Sequence, residues 1–311
     1  MTAPSATPGS PVLITGCSTG IGFATAGYLS ARGYTVYATA RRPEVLDDLR
    51  SRGCRVLRLD VTDKPSMVAA VEQVQRHHGS IGTLINNAGY SEISPLETCS
   101  LERYRKQFET NVFGMARMCQ LALPGMRAAG GGRIVNVGSI GGRFALPLWS
   151  GYTGSKHAMA AFSSALRMEV RRFGVEVTLV EPGFVRTNFV ASLSRNMADH
   201  AQEMTSEAYA PALRSFTAVT RGVLSGAECS EARRLQRHGL RARALTWAAS
   251  DPDRAAKVIH KAVTARRPRP RYLVTGHARA AVLAHRLLPA RCWEAAVCSF
   301  FTEETDSTHE R

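Results

Sequence analysis

The cysteines of this 311-residue chain supply no pattern. The seven of them (Cys17, Cys54, Cys99, Cys119, Cys229, Cys292 and Cys298) form no C-x-x-C pair and join no histidines at zinc-ligand spacing. That excludes a disulfide-framed scaffold and a structural zinc site, so no metal is expected. The thiols read as reduced, as in a cytoplasmic protein. The opening MTAPSATPGSP has neither a basic region nor an apolar core behind it, so a secretory signal is not expected. No uninterrupted apolar run reaches about 18 residues, which argues against a membrane-spanning helix. No repeat of solenoid period occurs, and no clean linker divides the chain.

Negative charge is also scarce. There are 25 Asp and Glu against 40 Lys and Arg, a formal net charge of +15. The excess is local: from Arg214 to Arg291, 17 basic residues face four acids, Glu228, Glu231, Asp251 and Asp253. These cations are mostly arginines on helical patterns without interleaved aromatics. They read as a solvated face, with weak adhesion to nucleic acid and no specific site for it.

What is present is a core-forming composition, 44% hydrophobic, arranged as an alternation. PVLIT, YTVYATA, CRVLRLD, GTLINNAG, GRIVNVGS and VEVTLVEPG read as strands. Helical spacing lies between them, near 20–33, 43–52, 65–78, 101–129 and 150–173. Alternating strands and helices require crossover connections, and so a parallel sheet covered on both faces. The fold class is α/β, a doubly wound sheet of Rossmann type. After Gly183 the alternation stops, and 190–270 reads as helical with polar breaks before RYLV offers a last strand. Residues 10–190 are read as a dinucleotide-binding and catalytic core, and 191–311 as a substrate lid and C-terminal extension of the same domain.

The first strand runs into Thr15-Gly16-Cys17-Ser18-Thr19-Gly20-Ile21-Gly22. Glycines between a strand and a helix let the backbone approach a pyrophosphate, which the helix N-terminus then attracts. Cys17, inside this turn, reads as a small buried hydrophobe. At the end of the second strand stands Thr39-Ala40-Arg41-Arg42, with no acid to accept the ribose 2′-hydroxyl of NAD. Arg41 there fits the extra phosphate of NADP, with Arg42 as a helper. Tyr152 and Lys156 lie four apart on one helical face. An ammonium close to a phenol is expected to lower the tyrosine pKa from about 10 toward neutrality and make it a usable acid and base. Thirteen residues earlier, Ser139 ends a strand, where open α/β sheets hold ligands.

The set Thr15-Gly-x-x-x-Gly-Ile-Gly22, Asp60-Val61, Asn86-Asn87-Ala88-Gly89, Asn111, Ser139, Tyr152-x-x-x-Lys156 and Pro182-Gly183 with Thr187 resembles the short-chain dehydrogenase/reductase family in order and spacing. The resemblance covers about residues 10–190 and implies a Rossmann sheet of seven parallel strands. It further implies that Tyr152 is the acid/base, that Lys156 lowers its pKa and holds the nicotinamide ribose, and that Ser139 polarises the carbonyl. Asn111 is implied to anchor a water relay. For the cofactor it implies Gly16, Ser18, Gly20, Ile21 and Gly22 at the pyrophosphate and Asp60 and Val61 at the adenine. Asn87, Ala88 and Gly89 line the cleft, Pro182 and Gly183 follow it, and Thr187 meets the carboxamide. Gly154 departs from the alanine frequent in the family, at about 1 kcal/mol of helix propensity.

VYATARRPE, LDVTD and the tail RPRPRYLVTGHARAAVLAHRLLP resemble the branch containing hydroxysteroid and retinol dehydrogenases. In that branch the segment after the sixth strand covers the substrate. Leu146, Pro147, Leu148, Trp149, Phe184, Phe189, Met197 and Met204 lie on segments implied to surround a steroid, retinoid or long-chain carbonyl. The expected function is therefore an NADP(H)-dependent alcohol dehydrogenase or carbonyl reductase for a lipophilic substrate. The alternative is a non-catalytic NADP(H)-binding sensor or scaffold. The apolar helix within 273–301 is expected to close the pocket and pack the sheet edge, with peripheral contact to an anionic membrane as the weaker expectation. Pairing of long helices 101–129 and 150–173 implies a homo-oligomer, a dimer in the first instance.

Overall fold

A computed structural model describes residues 8–186, 207–213 and 250–299. Thr187, Phe189, Met197, Met204 and the basic segment 221–246 lie outside the described residues.

The strands are β1 (Pro11–Ile14), β2 (Thr35–Ala40), β3 (Arg55–Arg58), β4 (Thr83–Asn86), β5 (Gly132–Val137), β6 (Val175–Glu181) and β7 (Arg271–Leu273). They form one sheet in the order β3-β2-β1-β4-β5-β6-β7 with every pairing parallel. The central strands are near-continuous apolar runs because both faces of such a sheet are covered. Alternate residues serve opposite faces. Leu13 and Leu84 enter a core with helices α3 (Lys64–His78), α5 (Met115–Ala128) and α6 (Ser150–Val170). Val12, Ile14 and Ile85 enter the other, with α1 (Gly20–Ser30), α2 (Asp47–Ser51) and α7 (Pro252–Thr264).

Local chemistry sets the ends of these helices. Asp251 caps α7 by accepting the Asp253 N–H at 2.9 Å, with Pro252 at the first position. Ser100 caps α4 (Leu101–Phe108) by accepting from the Arg103 N–H. Gly79, at φ 74°, stops α3.

Two expected helices are interrupted. The span 101–129 is not one α-helix: a π-helical turn, Glu109–Gly114, separates α4 from α5. The wider turn is where Asn111 leaves its helix to bond Tyr90, and where Gly114 lies so close to Val61 that a β-carbon would sit 2.7 Å from the Val61 carbonyl oxygen. The apolar pattern of the tail is likewise two helices, α8 (Gly276–Leu287) and α9 (Ala290–Cys298), broken at Leu288-Pro289 because proline excludes the residue before it from helical geometry. The tail packs on the segment that follows β5. Ala278 and Val282 join Ile140 and Phe144 in a buried cluster, and Trp293 meets Phe144 with ring centroids 4.9 Å apart. Among the described residues no helix is long and apolar enough to cross a membrane.

Candidate active site

Chain direction reverses its walk across the sheet between β1 and β4, and beyond the carboxyl ends of these strands lies a cleft of about 790 Å³. Crevices at such a switch point are where open α/β sheets bind ligands. The glycine turn forms its floor. Gly16 has φ 71°, and a β-carbon there would meet the Ala88 Cα at 2.8 Å. A β-carbon on Gly22 would meet the Gly16 carbonyl oxygen at 2.3 Å, so Gly22 serves close packing behind the floor. The turn is tied across the switch point by two side chains. The Thr15 hydroxyl accepts the N–H groups of Asn87 and Ala88, each at 3.0 Å. The Asn87 amide in turn donates to the Thr15 and Gly16 carbonyls at 3.0 and 2.9 Å.

Of the positions expected at a dinucleotide, Gly16, Ser18, Gly20, Ile21 and Arg41 line the cleft. Asp60, Val61, Asn87, Ala88 and Gly89 line it further along, and Pro182 and Gly183 face them. Ser139, Tyr152 and Lys156 complete the same cleft. Gly22 and Asn111 lie behind its wall. The sequence reading missed Tyr90, Glu92, Lys106, Glu109 and Thr110, which also line it. Their signal was position, directly after Asn87-Ala88-Gly89 and in the helical residues just before Asn111. Glu92 brings a carboxylate to the wall, and it is answered by Arg103 in a buried ion pair.

Cys17 has the role expected of it. Its thiol is wholly buried, contacts the Ile14 carbonyl at 3.4 Å, and is pushed up to about 12 by burial.

Ser139 leaves β5 as the cap of a short 3₁₀ turn, its hydroxyl accepting the Gly141 N–H at 3.0 Å. Tyr152 and Lys156, on the first turns of α6, are both buried. The Lys156 ammonium donates to the Val137 carbonyl at 3.1 Å and lies 5.8 Å from the centre of the Tyr152 ring. Asn111 donates to the Tyr90 carbonyl at 2.9 Å and to the Ser155 hydroxyl at 3.0 Å, and accepts the Tyr90 N–H at 3.1 Å. Gly89 separates it from Lys156: a β-carbon on Gly89 would lie 3.0 Å from the Asn111 Oδ1 and 3.7 Å from the Lys156 Nζ.

The electrostatics differ from the sequence expectation. The Tyr152 phenol is not lowered toward neutrality. Burial pushes it up to about 12, against a smaller lowering from its hydrogen bond with Ser139. Burial also brings the Lys156 ammonium down to about 8. Spacing along α6 places both groups on one side, but it does not report that both leave water, and desolvation disfavours the charged form of each.

Tyr152 also belongs to a small apolar cluster. Ile93 and Trp149 are buried against its ring, with Leu146, Leu148 and Phe184 packed on them. The Trp149 ring lies 5.5 Å from that of Tyr152 and 6.4 Å from that of Phe184. Under the loop that carries Ser139 sits Glu181, fully buried at the end of β6. Arg143 grips its carboxylate with two bonds of 2.7 Å, and Arg271 of β7 adds a third at 3.1 Å. Sequence reading found no sign of this clamp, because its members are 38 and 90 residues apart.

The comparisons with known proteins agree with this geometry. The family model described as short chain dehydrogenase matches residues 10–198. The chain belongs to the short-chain dehydrogenase family. This short-chain dehydrogenase is 40% identical over 188 residues to a 3-ketodihydrosphingosine reductase of Bacteroides thetaiotaomicron, covering 60% of this chain and 68% of that protein. It is similar in structure to a short-chain dehydrogenase of Streptomyces avermitilis, with a TM-score of 0.69 and 29% identity, over 94% of this chain and 96% of that one. A variant of actinorhodin polyketide ketoreductase with NADPH gives 0.68 and 26%, over 88% and 98%. As a member of this family the protein is an NAD(P)-dependent oxidoreductase.

Two measurements follow from the buried charges. Removing both partners of Glu181, in Arg143→Met/Arg271→Met, leaves an uncompensated carboxylate and is expected to cost about 3–5 kcal/mol in urea denaturation. Either single replacement leaves one partner and costs less than half of that. For Lys156, between pH about 8 and the ordinary 10.5 the unfolded chain holds a proton that the folded chain has released, so the stability of the native enzyme rises with pH across that window. Below pH 8 both states are charged and the full burial cost is present. The stability advantage of Lys156→Met over wild type is therefore constant below pH 8 and shrinks from pH 8 to 10.

Proposed function

We propose that this enzyme is an NADP(H)-dependent carbonyl reductase and alcohol dehydrogenase that interconverts a lipophilic ketone or aldehyde and its alcohol. The observation that carries the reading is the meeting of Ser139, Tyr152 and Lys156 in one cleft, with an apolar cluster packed about Tyr152.

The cleft fits a dinucleotide. The N-terminus of α1 has no acid in its first turn, and its cap, Thr19, makes no side-chain hydrogen bond to it. Its free N–H groups and positive end suit a pyrophosphate, and Gly16, close against Ala88, leaves backbone where a side chain would intrude. Ser18, Gly20 and Ile21 would hold the phosphates, Asp60 and Val61 the adenine, and Asn87, Ala88 and Gly89 the middle of the cofactor. Arg41, directly after β2, supports NADP, since its guanidinium suits a 2′-phosphate and no acid stands there to take a 2′-hydroxyl. When bound, the cofactor supplies the electron pair that reduces the carbonyl carbon.

The side chains supply the proton and the orientation. A phenol held near 12 keeps its proton at neutral pH, so in reduction Tyr152 is the acid, delivering that proton to the carbonyl oxygen. The Ser139 hydroxyl donates to the same oxygen and fixes it beside the phenol. Lys156, near 8, exchanges protons readily around neutrality and favours return of a proton to the phenolate. Asn111 ties the Tyr90 backbone to the Ser155 hydroxyl beside that lysine in the chain. Ile93, Trp149, Leu146 and Phe184 pack an apolar cluster about Tyr152, and such a surrounding suits an aliphatic or alicyclic substrate better than a polar one. The relative named for 3-ketodihydrosphingosine, a long-chain ketone, supports this substrate class. The Ser–Tyr–Lys constellation favours turnover over a sensor or scaffold role, which needs the glycine turn alone. Phe113 in the π turn and Phe162 on α6, elements that pack together, are 51% and 47% exposed, and they support self-association through these elements.

NADPH oxidation with a panel of steroid, retinoid and long-chain carbonyls tests the reading. Turnover is expected with wild type and a loss of at least about 100-fold with Tyr152→Phe, while NADPH still binds. Tight NADPH binding without turnover of any carbonyl or alcohol overturns it in favour of the sensor. Arg41→Ala is expected to weaken NADPH binding about 10- to 100-fold, the worth of a charge-assisted bond. NADH binding stays within about twofold, and equal losses for both cofactors remove the assignment of Arg41.

A further inference from the structure

Helix α8 is apolar on its outward side as well as its inward one. Ala278 and Val282 turn inward and are buried against Ile140 and Phe144. Outward, Leu283 is 57% exposed and Leu287, one turn on, is 73% exposed. Leu288, where the helix ends, is 43% exposed. Single exposed leucines are ordinary, but three at helical spacing and in succession form a ridge. Packing within the chain accounts for Ala278 and Val282 and leaves the ridge unexplained.

Charge decides what can cover it. Arg279 and Arg286 of α8 and Arg291 of α9 are exposed close to the leucines in the chain, and none pairs with a carboxylate of the described residues. From Arg254 to Trp293 the sequence has ten Lys and Arg and no Asp or Glu, and Glu294 is the one acid of α8 and α9. A second copy docking by the same face would set arginines against arginines, with Glu294 alone to answer them. An anionic lipid surface offers negative charge to every arginine at once, and its acyl boundary accepts leucines without a complementary pocket. Neither helix is long enough to cross a membrane, so the ridge lies along the surface.

We propose that the ridge of Leu283, Leu287 and Leu288, with Arg279, Arg286 and Arg291 beside it, docks this enzyme on an anionic phospholipid surface. The leucines enter the acyl boundary and the arginines pair with headgroup phosphates. The interaction does not depend on which carbonyl the enzyme reduces.

Co-sedimentation of the full chain with vesicles tests this, using phosphatidylcholine alone and an equimolar mixture of phosphatidylcholine and phosphatidylglycerol. Wild type is expected to partition onto the anionic vesicles at least about tenfold better than onto the neutral ones. Arg279→Ala/Arg286→Ala/Arg291→Ala is expected to lose about 100-fold of the anionic partitioning, about fivefold for each arginine near a charged surface. Leu283→Ser/Leu287→Ser is expected to lose at least about tenfold. Both variants change exposed side chains and are expected to keep the wild-type Tm. Partitioning that falls with the arginines but is unchanged in the leucine variant is mere adhesion of a basic chain and overturns the proposal. Failure of wild type to bind anionic vesicles overturns it too. So does a wild-type dimer in analytical ultracentrifugation that becomes a monomer in the leucine variant, since a second copy then covers the ridge.

Discussion

A parallel sheet satisfies its own amides and carbonyls only as far as its strands run, and everything distinctive in this enzyme happens where they stop. Beyond the carboxyl edge the backbone groups of the central strands need new partners in a small space. At the switch point the Thr15 hydroxyl and the Asn87 amide take over, bonding two chain segments that no longer share a ladder. One strand further, the Gly138 N–H reaches the Val180 carbonyl at 2.7 Å and the Ile140 N–H the Pro182 carbonyl at 2.9 Å. The Val137 carbonyl falls to Lys156. The reactive groups of the cleft therefore also finish the hydrogen bonding of the sheet.

The same constraint explains the polar residues buried beneath the site. Asn86 and Asn136 stand in register on β4 and β5, and the Asn86 amide donates to the Asn136 carbonyl oxygen at 2.9 Å. Asn136 passes the chain on to the Ser163 hydroxyl of α6 at 2.8 Å. This connected, buried series fixes α6 against the sheet two turns beyond Lys156, so the height of Tyr152 over the edge is set from below. Glu181 does the same for the Ser139 loop from β6. An ion pair of this kind adds little net stability over a well-packed apolar group, but with one carboxylate held by two arginines it admits few alternative loop positions.

Legibility follows the range of the interaction. Glycines at Gly16 and Gly22 are required by contacts with backbone a few residues away or across one strand, and the sequence displays them as a motif. The alternation of apolar runs and helical spacing gives the sheet, because each element carries its own period. The π turn at Glu109–Gly114 left no such trace, since it arises from Asn111 meeting Tyr90, 21 residues earlier. The break at Pro289 was visible in the letters but was outweighed by the apolar pattern around it. The Glu181 clamp is a long-range outcome and could not be read from neighbours in the chain.

The contrast between spacing and burial is sharpest at Tyr152 and Lys156. Four residues on a helix put two side chains together, and from that alone a cation lowering a phenol is the natural deduction. Burial acts against it for the protein by itself: it holds the phenol neutral and brings the ammonium, still charged at neutral pH, within reach of deprotonation, each moved against its charged form. The pair is thereby poised asymmetrically. The tyrosine holds its proton at every physiological pH and can give it only where negative charge develops on an adjacent oxygen, while the lysine, near 8, exchanges protons with solvent on demand. In the reduction proposed above, donation would thus be coupled to the arrival of a reacting oxygen between Ser139 and Tyr152.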